Sequence, residues 1–305
     1  MYKFIYWLNI KLQDKTSDDS LAVRSYKRAA EKILKAYFII NPIKPKLPQN
    51  DGISSPIVSL TSFPDRIDKV WMVVESVLYQ SHKPGKIILW LYEGDFDSKA
   101  SLPRRLLNLE KRGLEIRFCE ENLMPHIKYY YTMKENPLSN IITIDDDLLY
   151  PPNLIETFYF EHQKFPDAIL CSVSREIEFE NNRIGNYSDW TLVTENTSPS
   201  HKYLIMGVGG AFYPRNCLHE EVYNLKNIKQ ISLKADDLWL KVMSLLKGSK
   251  VRSLAGSFPY SYLPVYNKNS RNLTDINIGG GNNDKVFKKL LKEYNIDLVH
   301  YIQEK

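Results

Sequence analysis

Three consecutive carboxylates, Asp145, Asp146 and Asp147, stand directly after an apolar run that reads IITI. The run predicts a buried strand that ends at the acids. In an extended chain Asp145 and Asp147 project to the same side, and two like charges this close are costly unless a cation lies between them or one is protonated. Oxygen ligands suit Mg²⁺ or Mn²⁺, so the cluster predicts a metal site that can hold a diphosphate. The alternative is that one acid caps the helix expected after Pro151.

A second acidic pair, Asp236 and Asp237, opens a predicted helix over residues 234–251. One acid is enough to cap that helix and to meet the positive end of its dipole, so capping is one interpretation. The other is catalytic, because a carboxylate here can take the proton from a sugar hydroxyl as the hydroxyl attacks an anomeric carbon. The presence of the upstream acidic cluster favours catalysis.

Glycines are concentrated between the two acidic segments, in the uncharged run YLIMGVGGAFYPR over residues 203–215. Glycine allows the backbone to approach a ligand closely, which is one interpretation of Gly207, Gly209 and Gly210. The other is a bulge in a buried strand.

Strands and helices alternate at short spacing along the main part of the chain. Predicted strands cover residues 56–60, 86–92, 114–118 and 140–144. Predicted helices cover residues 66–80, 102–113, 125–137, 151–165, 234–251 and 285–294. This alternation predicts an α/β fold, a mostly parallel Rossmann-like sheet with helices on both faces.

In such sheets ligands bind at the carboxyl ends of the strands. The residues that follow the predicted strands are therefore candidates for a site: Thr61, Ser62 and Arg66 after the first, Glu93 and Asp95 after the second, and the three acids after the fourth.

The charge of the chain is unevenly distributed. The 305 residues carry a net charge of +5, but residues 1–50 alone carry +6 and the remainder carries −1. A nearly neutral main part lacks the basic groove that nucleic acid requires, so nucleic acid is not expected as a ligand. The three cysteines lie far apart without metal-ligand or redox spacing, so a reducing cytoplasm is expected.

The basic leader contains a predicted amphipathic helix over residues 21–40, capped by Asp19 or Ser20, before a proline-rich linker over 42–56. Its apolar face is predicted at positions 22, 26, 29, 33, 37 and 40. One interpretation is that residues 1–40 make a peripheral contact with anionic lipid at the inner face of the membrane. The other is that the helix packs on the main domain. No run of 18 apolar residues is present, so no membrane span is predicted.

Six segments in this order resemble bacterial GT-A-fold glycosyltransferases of the family-two-like type, which build surface polysaccharides such as capsule and lipopolysaccharide. The segments are IVSLTSFPDRI (57–67), KIILWLYEGDF (86–96), LEIRFCEENL (114–123), IITIDDDLLYPPNLIE (141–156), GVGGAFYPRNCLH (207–219) and ADDLWLKVMSLLKGSKVR (235–252). The resemblance covers roughly residues 56–295. It implies a GT-A domain over 51–305, with a nucleotide-sugar half to about residue 150 and an acceptor half beyond it, after a helical leader over 1–50.

The resemblance also implies a nucleotide-sugar donor, most often a UDP-sugar, a divalent Mn²⁺ or Mg²⁺, and a glycan or lipid-linked acceptor. By this analogy Asp147 ligates the metal, Asp145 faces the metal or the ribose beside Asp146, and Asp237 is the catalytic base next to Asp236. The remaining residues that the analogy assigns border the nucleotide, the diphosphate or the donor sugar: Thr61, Ser62, Arg66, Glu93, Lys128, Gly209 and Gly210. The family more often has Asp at the position of Glu93. A base without a nucleophilic carboxylate implies inversion at the anomeric carbon.

Two other functions are consistent with parts of the pattern. A sugar-1-phosphate nucleotidyltransferase also combines a metal with an α/β sheet, but it needs a glycine-rich basic loop after the first strand, where this chain has TSFPDR. A non-catalytic carbohydrate-binding protein on a transferase fold is the second alternative, and the retention of both acidic segments disfavours it.

Overall fold

Seven strands form one central sheet in the computed structural model, which describes residues 1–13, 20–43, 47, 55–181, 183–259, 262–267 and 281–303. The strands of the described residues are β1 (Ile57–Thr61), β2 (Lys86–Tyr92), β3 (Leu114–Cys119), β4 (Ile141–Thr143), β5 (Leu148–Leu149), β6 (Ile169–Cys171), β7 (Ser174–Glu176), β8 (Phe179–Glu180), β9 (Arg183–Ile184), β10 (Thr191–Leu192), β11 (Tyr203–Ile205), β12 (Ala211–Tyr213), β13 (Val251–Ser253) and β14 (Leu263–Pro264). The helices are α1 (Tyr2–Gln13), α2 (Leu21–Ile40), α3 (Pro64–Ile67), α4 (Val70–Leu78), α5 (Arg104–Leu107), α6 (Ile127–Glu135), α7 (Leu154–Lys164), α8 (Leu225–Asn227), α9 (Asp236–Lys247), α10 (Asn282–Glu293) and α11 (Leu298–Gln303).

The order of the central sheet is β13-β6-β12-β4-β1-β2-β3. All neighbours pair in parallel except β12, which runs antiparallel to both β4 and β6. The predicted α/β class with a mostly parallel sheet is therefore confirmed. Smaller sheets, β10-β7-β11, β14-β5 and β8-β9, lie outside it.

Both faces of the central sheet are buried, which explains why its strands are apolar without alternation. In β1, Val58 and Leu60 belong to the core on one face, which also contains residues of α1, α2 and α4. Ile57 of the same strand belongs to the core on the other face, with residues of α6, α9 and α10. The predicted helix over 66–80 is divided into α3 and α4, and every residue of α4 is buried.

The two leader helices pack against the first of these cores. Tyr2, Ile5 and Tyr6 of α1 are buried there, with Leu34 and Phe38 of α2. Ser20 is the N-cap of α2 and accepts a hydrogen bond from the Val23 N–H, as predicted. The alternative candidate Asp19, and most of the predicted 42–56 linker (44–46 and 48–54), lie outside the described residues.

The predicted contact face of α2 is wrong by about one residue. The buried positions are Val23, Ala30, Glu31, Leu34 and Phe38, whereas Ile33 and Ile40 of the predicted face are exposed. The physical reason is that α2 carries apolar side chains on two adjacent faces, so periodicity alone cannot select the face that meets the domain.

Leu34→Ala and Ile33→Ala test this assignment as a matched pair of neighbouring substitutions. Leu34 is fully buried and Ile33 is 49% exposed. We expect Leu34→Ala to lower the free energy of unfolding by about 2–5 kcal/mol, because it leaves a cavity. Ile33→Ala should change that free energy by less than about 0.5 kcal/mol. Urea unfolding of both variants measures the difference, and equal losses would mean that α2 packs by another face.

Candidate functional site

The acidic segments and the glycine run meet at one edge of the central sheet. The parallel strands β1 and β4 end there, at Thr61 and Thr143. Strand β12 runs in the opposite direction and pairs Ala211 with Thr143, so the glycines that precede it lie at the same edge. This edge is where ligands bind in open α/β sheets.

The three acids after β4 are held by basic and hydroxyl groups. Asp146 accepts hydrogen bonds from the Ser62 hydroxyl at 2.6 Å and from Arg66 Nη1 at 2.7 Å. The same nitrogen of Arg66 lies 2.8 Å from Asp147 Oδ2. The chain bends at Asp146 and Asp147, so the strict alternation of an extended segment is not kept.

Burial and the neighbouring charge of Asp145 raise the pKa of Asp147 to about 6, although Arg66 opposes this shift. Asp145 and Asp147 therefore repel each other as the sequence predicted. The charge of Arg66 therefore offsets only part of the burial and repulsion that act on Asp147.

Lys128, in the first turn of α6, joins the two acidic segments. Its ammonium lies 2.9 Å from Asp145 Oδ1 and 2.9 Å from Asp236 Oδ2, and only 7% of its side chain is exposed. Burial alone lowers the pKa of Lys128, but Asp145, Asp236 and Asp237 together raise it well above its ordinary value. The lysine is therefore permanently charged and holds the acidic groups together.

Asp237 differs from its neighbour in its surroundings. Both of its carboxylate oxygens face the backbone N–H of Gly207, at 3.1 and 3.2 Å. Burial and the charge of Asp236 raise the pKa of Asp237, while Lys128 is the main group that counteracts burial and lowers the pKa of Asp236. Two adjacent carboxylates with pKa values driven apart are a frequent arrangement where one must act as a base.

Helix capping does not explain either acidic segment. The N-cap of α7 is Asn153, and the N-cap of α9 is Ala235, in both cases without a side-chain capping hydrogen bond. No acid of either segment therefore serves as an N-cap, but the favourable placement at the helix dipole that was considered for the second pair is confirmed. Asp236 and Asp237 occupy the first turn of α9, where their charge still benefits from the helix dipole.

The other predicted site residues differ in whether they contact the acidic cluster. Ser62 and Arg66 contact the acidic cluster directly. Thr61 donates its hydroxyl hydrogen bond to the Trp90 carbonyl at 3.0 Å, which ties β1 to β2. Glu93 is exposed in a turn of 3₁₀ helix after β2.

The glycines divide into two groups. A Cβ on Gly209 would lie 2.2 Å from Ser172 Oγ, and Gly210 has a φ of +87° beside Tyr150, so both pack against the protein wall. Gly207, which the assigned site residues do not include, is closest to the charged centre. A Cβ there would lie 2.8 Å from Lys128 Nζ and 3.1 Å from Asp237 Oδ1.

Gly207→Ala should therefore damage the site more than the fold. The nearest atom is the end of a lysine side chain, which can shift slightly while keeping its ion pairs with Asp145 and Asp236, so we expect only a small fall in melting temperature. Displacing that ammonium misplaces the groups around it, and errors of about 1 Å cost roughly 10²-fold in rate. Comparing rates of the sugar transfer that the resemblance implies with thermal melts separates the two effects; an unchanged rate would show that Lys128 is not needed at its present position.

Two tyrosines that the sequence pattern does not identify, Tyr150 and Tyr2, support the acidic cluster through hydrogen bonds. The Tyr150 hydroxyl accepts a hydrogen bond from the Asp145 N–H at 2.8 Å. The Tyr2 hydroxyl in turn donates to the Tyr150 carbonyl, which connects α1 to the site. The spacing of Tyr150 behind the acids was visible in the sequence, but the contribution of Tyr2 depends on tertiary packing.

The acidic cluster offers a suitable, though incomplete, set of ligands for a divalent cation. Within the described residues, no group of three or more His, Cys, Asp or Glu side chains is arranged to hold a metal. Asp145 and Asp147 supply two carboxylates that are partly exposed. Mg²⁺ is commonly bound by one or two carboxylates together with substrate phosphates, so these two residues fit a metal that arrives with a diphosphate.

Comparisons with known proteins give one structural likeness. No protein-family model and no curated protein matches the chain. Among solved structures it is similar to S. aureus TarS 1-349 in complex with UDP, with a TM-score of 0.41 and 12% sequence identity. The match covers 65% of this chain and 57% of the TarS chain, so the chain spans little more than half of that structure.

Proposed function

We propose that the protein is a glycosyltransferase that moves a sugar from a nucleotide-sugar, a UDP-sugar, to a glycan or lipid-linked acceptor. The observation that carries this proposal is the position of Lys128, within 2.9 Å of a carboxylate from each acidic segment. It brings a cluster suited to a metal and a diphosphate next to a carboxylate suited to act as a base. In this role the enzyme works in the cytoplasm on a surface polysaccharide such as capsule or lipopolysaccharide.

Asp237 is proposed as the base that takes the proton from the acceptor hydroxyl. Its raised pKa favours proton transfer near neutral pH, and the Gly207 N–H holds its carboxylate in place. Asp236 is buried against Lys128 and Asp145 is assigned to the metal, so Asp237 is the acid of this group that is left to act on the acceptor. Because the neighbouring Asp236 carboxylate is paired with Lys128, the arrangement favours direct displacement with inversion.

Asp145 and Asp147 are proposed to hold Mn²⁺ or Mg²⁺, which supplies positive charge to the departing diphosphate when bound. Lys128 and Arg66 add two fixed positive charges at the same edge. Ser62 orients Asp146 and so keeps Arg66 at the cluster.

Calorimetric titration with UDP, in the presence of Mn²⁺ and then of EDTA, tests the proposal. We expect UDP to bind more tightly with Mn²⁺ than with EDTA, and UMP to show little dependence on the metal. Asp145→Asn combined with Asp147→Asn should remove that dependence. Slow release of UDP from UDP-sugars should accompany binding. If no nucleoside diphosphate binds with or without metal, the protein is not a nucleotide-sugar transferase.

A further inference from the structure

The outward faces of α1 and α2, called the leader surface below, carry an unusual share of the exposed apolar side chains. Twelve large apolar residues are exposed in the described part of the chain; six of them lie on these two helices and a seventh, Met1, directly precedes α1. They are Met1, Phe4, Trp7, Leu21, Ile33, Ile39 and Ile40. A concentration of this kind indicates a surface that is covered in use.

The inner faces of both helices are already committed to the fold, so these residues cannot be buried by rotating a helix. Tyr2, Ile5 and Tyr6 anchor α1 in the core, and the Tyr26 hydroxyl of α2 donates to the Ile5 carbonyl. On the outer side of α1, the rings of Phe4 and Trp7 stack with their centroids 5.7 Å apart.

Positive charge surrounds the apolar residues of the leader surface. Six exposed basic side chains lie on the two helices, Lys3, Lys11, Arg24, Arg28, Lys32 and Lys35. On α2 the basic residues at 24, 28, 32 and 35 follow one flank of the exposed face, and the apolar residues at 29, 33, 36 and 40 follow the other. Glu31, the acid in the described part of α2, is buried and lies 2.9 Å from Lys69 Nζ.

We propose that the leader surface docks on an anionic lipid bilayer, with α1 and α2 lying in the interface. The combination of exposed Trp, Phe and Ile side chains with a basic flank is typical of helices that lie on membranes. Among the described helices, none has the length and hydropathy needed to cross a bilayer. The inner faces of the two helices pack on the domain, and their outer faces are available to lipid.

A second copy of the chain is a less suitable occupant. In a two-fold symmetric dimer both copies use the same surface, so the basic residues of both copies are gathered in one interface. Like charges brought together in this way repel, whereas an anionic headgroup layer attracts them at no such cost.

The leader surface also lies on the helices that support the acidic cluster. Tyr2 on the inner face of α1 donates to the Tyr150 carbonyl, and the Tyr150 hydroxyl accepts from the Asp145 N–H. Membrane docking would thus place the transfer site next to the bilayer, where a lipid-linked acceptor resides; this step rests on the proposed function.

Trp7 provides a direct readout of docking. It is 53% exposed, whereas the other four tryptophans, Trp71, Trp90, Trp190 and Trp239, are buried. We expect vesicles of equal parts phosphatidylcholine and phosphatidylglycerol with brominated chains to quench Trp7 fluorescence in the full-length protein. Vesicles of phosphatidylcholine alone should quench far less, and Trp7→Phe should abolish the effect.

Matched substitutions test the two kinds of residue separately by vesicle flotation. Phe4→Gln combined with Trp7→Gln should reduce binding strongly, while Phe160→Gln on α7, which removes an aromatic ring that is also 53% exposed, should not. Lys32→Gln with Lys35→Gln should weaken binding roughly 30-fold, at about fivefold for each charge near an anionic surface. Lys288→Gln with Lys292→Gln, also exposed on a helix, should leave binding unchanged.

Several results would overturn the proposal: no quenching of Trp7 by the anionic vesicles, equal effects of the leader and control variants, or a dimer in light scattering that the Phe4 and Trp7 substitutions dissociate without any vesicle binding. UDP binding is measured on the same samples without lipid. If UDP does not bind, the proposed transferase activity is contradicted while the quenching result still stands. Failure of the proposed function and failure of the membrane proposal can therefore be told apart.

Discussion

Asp237→Asn is expected to lower sugar transfer by roughly 10²–10⁴-fold, the usual contribution of a general base, while donor binding is retained. Asparagine has the same shape and its Oδ1 can still accept from the Gly207 N–H, which Asp237 now contacts at 3.1 Å. It cannot take a proton from the acceptor. Transfer rates and UDP affinity measured on the same preparation separate the loss of chemistry from the loss of binding.

The free energy of unfolding of Asp237→Asn, unlike its transfer rate, should not fall. Burial and Asp236 raise the pKa of Asp237, which means that its ionised form destabilises the folded state at neutral pH. Removing the charge should leave the variant at least as stable as the parent protein, as expected for a residue kept for function rather than for folding. A marked fall in melting temperature would indicate a structural role instead.

The pH dependence of kcat/KM gives a second measurement of the same role. Because the proposed base must be ionised and its pKa is raised, transfer by the parent protein should fall on acidification well above pH 4, the region where an ordinary aspartate titrates. Asp167→Asn, at an exposed position, is the control and should reproduce the parent profile. Unchanged transfer in Asp237→Asn would remove Asp237 from the role of base.

Four strands of the central sheet, β1 to β4, could be predicted because both faces of the sheet are buried, whereas the three-residue strands β6, β12 and β13 were not predicted. Continuous apolar runs such as KIILWLY have one explanation in an α/β chain, and the observed β2 covers the predicted residues 86–92. The same reasoning placed the acids after β4 at the carboxyl edge. Nothing comparable was available for α2, where apolar residues on two adjacent faces left the contact face undetermined and the predicted one proved wrong.

The candidate site was predictable as a set of residues but not as a geometry. The resemblance to glycosyltransferases placed Lys128 near a diphosphate, but its bridge between Asp145 and Asp236 requires α6, β4 and α9 to meet. Local sequence around Lys128 contains no motif that indicates such a contact. The close approach of Gly207 to Lys128 and Asp237 has the same origin, because it depends on the antiparallel entry of β12 at that edge.

Lys128→Met should produce the largest loss of stability. Removing one partner from a buried ion pair costs about 3–5 kcal/mol, because the remaining charge stays buried without compensation. Lys128 and Asp236 are both almost fully buried, so solvent does little to screen the loss. Urea unfolding measures the change. Lys83→Met is the control, because Lys83 donates to the carbonyls of Leu78 and Gln80 rather than to acids.

The loss of unfolding free energy in Lys128→Met, called the deficit below, should depend on pH in a defined direction. Without the lysine, the pKa values of Asp236 and Asp237 in the folded state rise above those in the unfolded state, because burial and mutual repulsion are no longer opposed. The folded state then binds protons more readily, so stability increases as the pH falls. We expect the deficit to be largest near about pH 8 and clearly smaller near about pH 5, whereas Lys83→Met should show no such recovery.

A double variant distinguishes this electrostatic cause from a packing defect. Lys128→Met combined with Asp236→Asn removes a charge from the unpaired group, and residues in direct contact couple by about 0.5–3 kcal/mol. The double variant should therefore be more stable than Lys128→Met alone near neutral pH. Donor binding should remain weak in both, because neither variant has the ammonium that lies between the two acidic segments. A double variant as unstable as the sum of its single substitutions would show that Lys128 contributes by packing rather than by holding the carboxylates together.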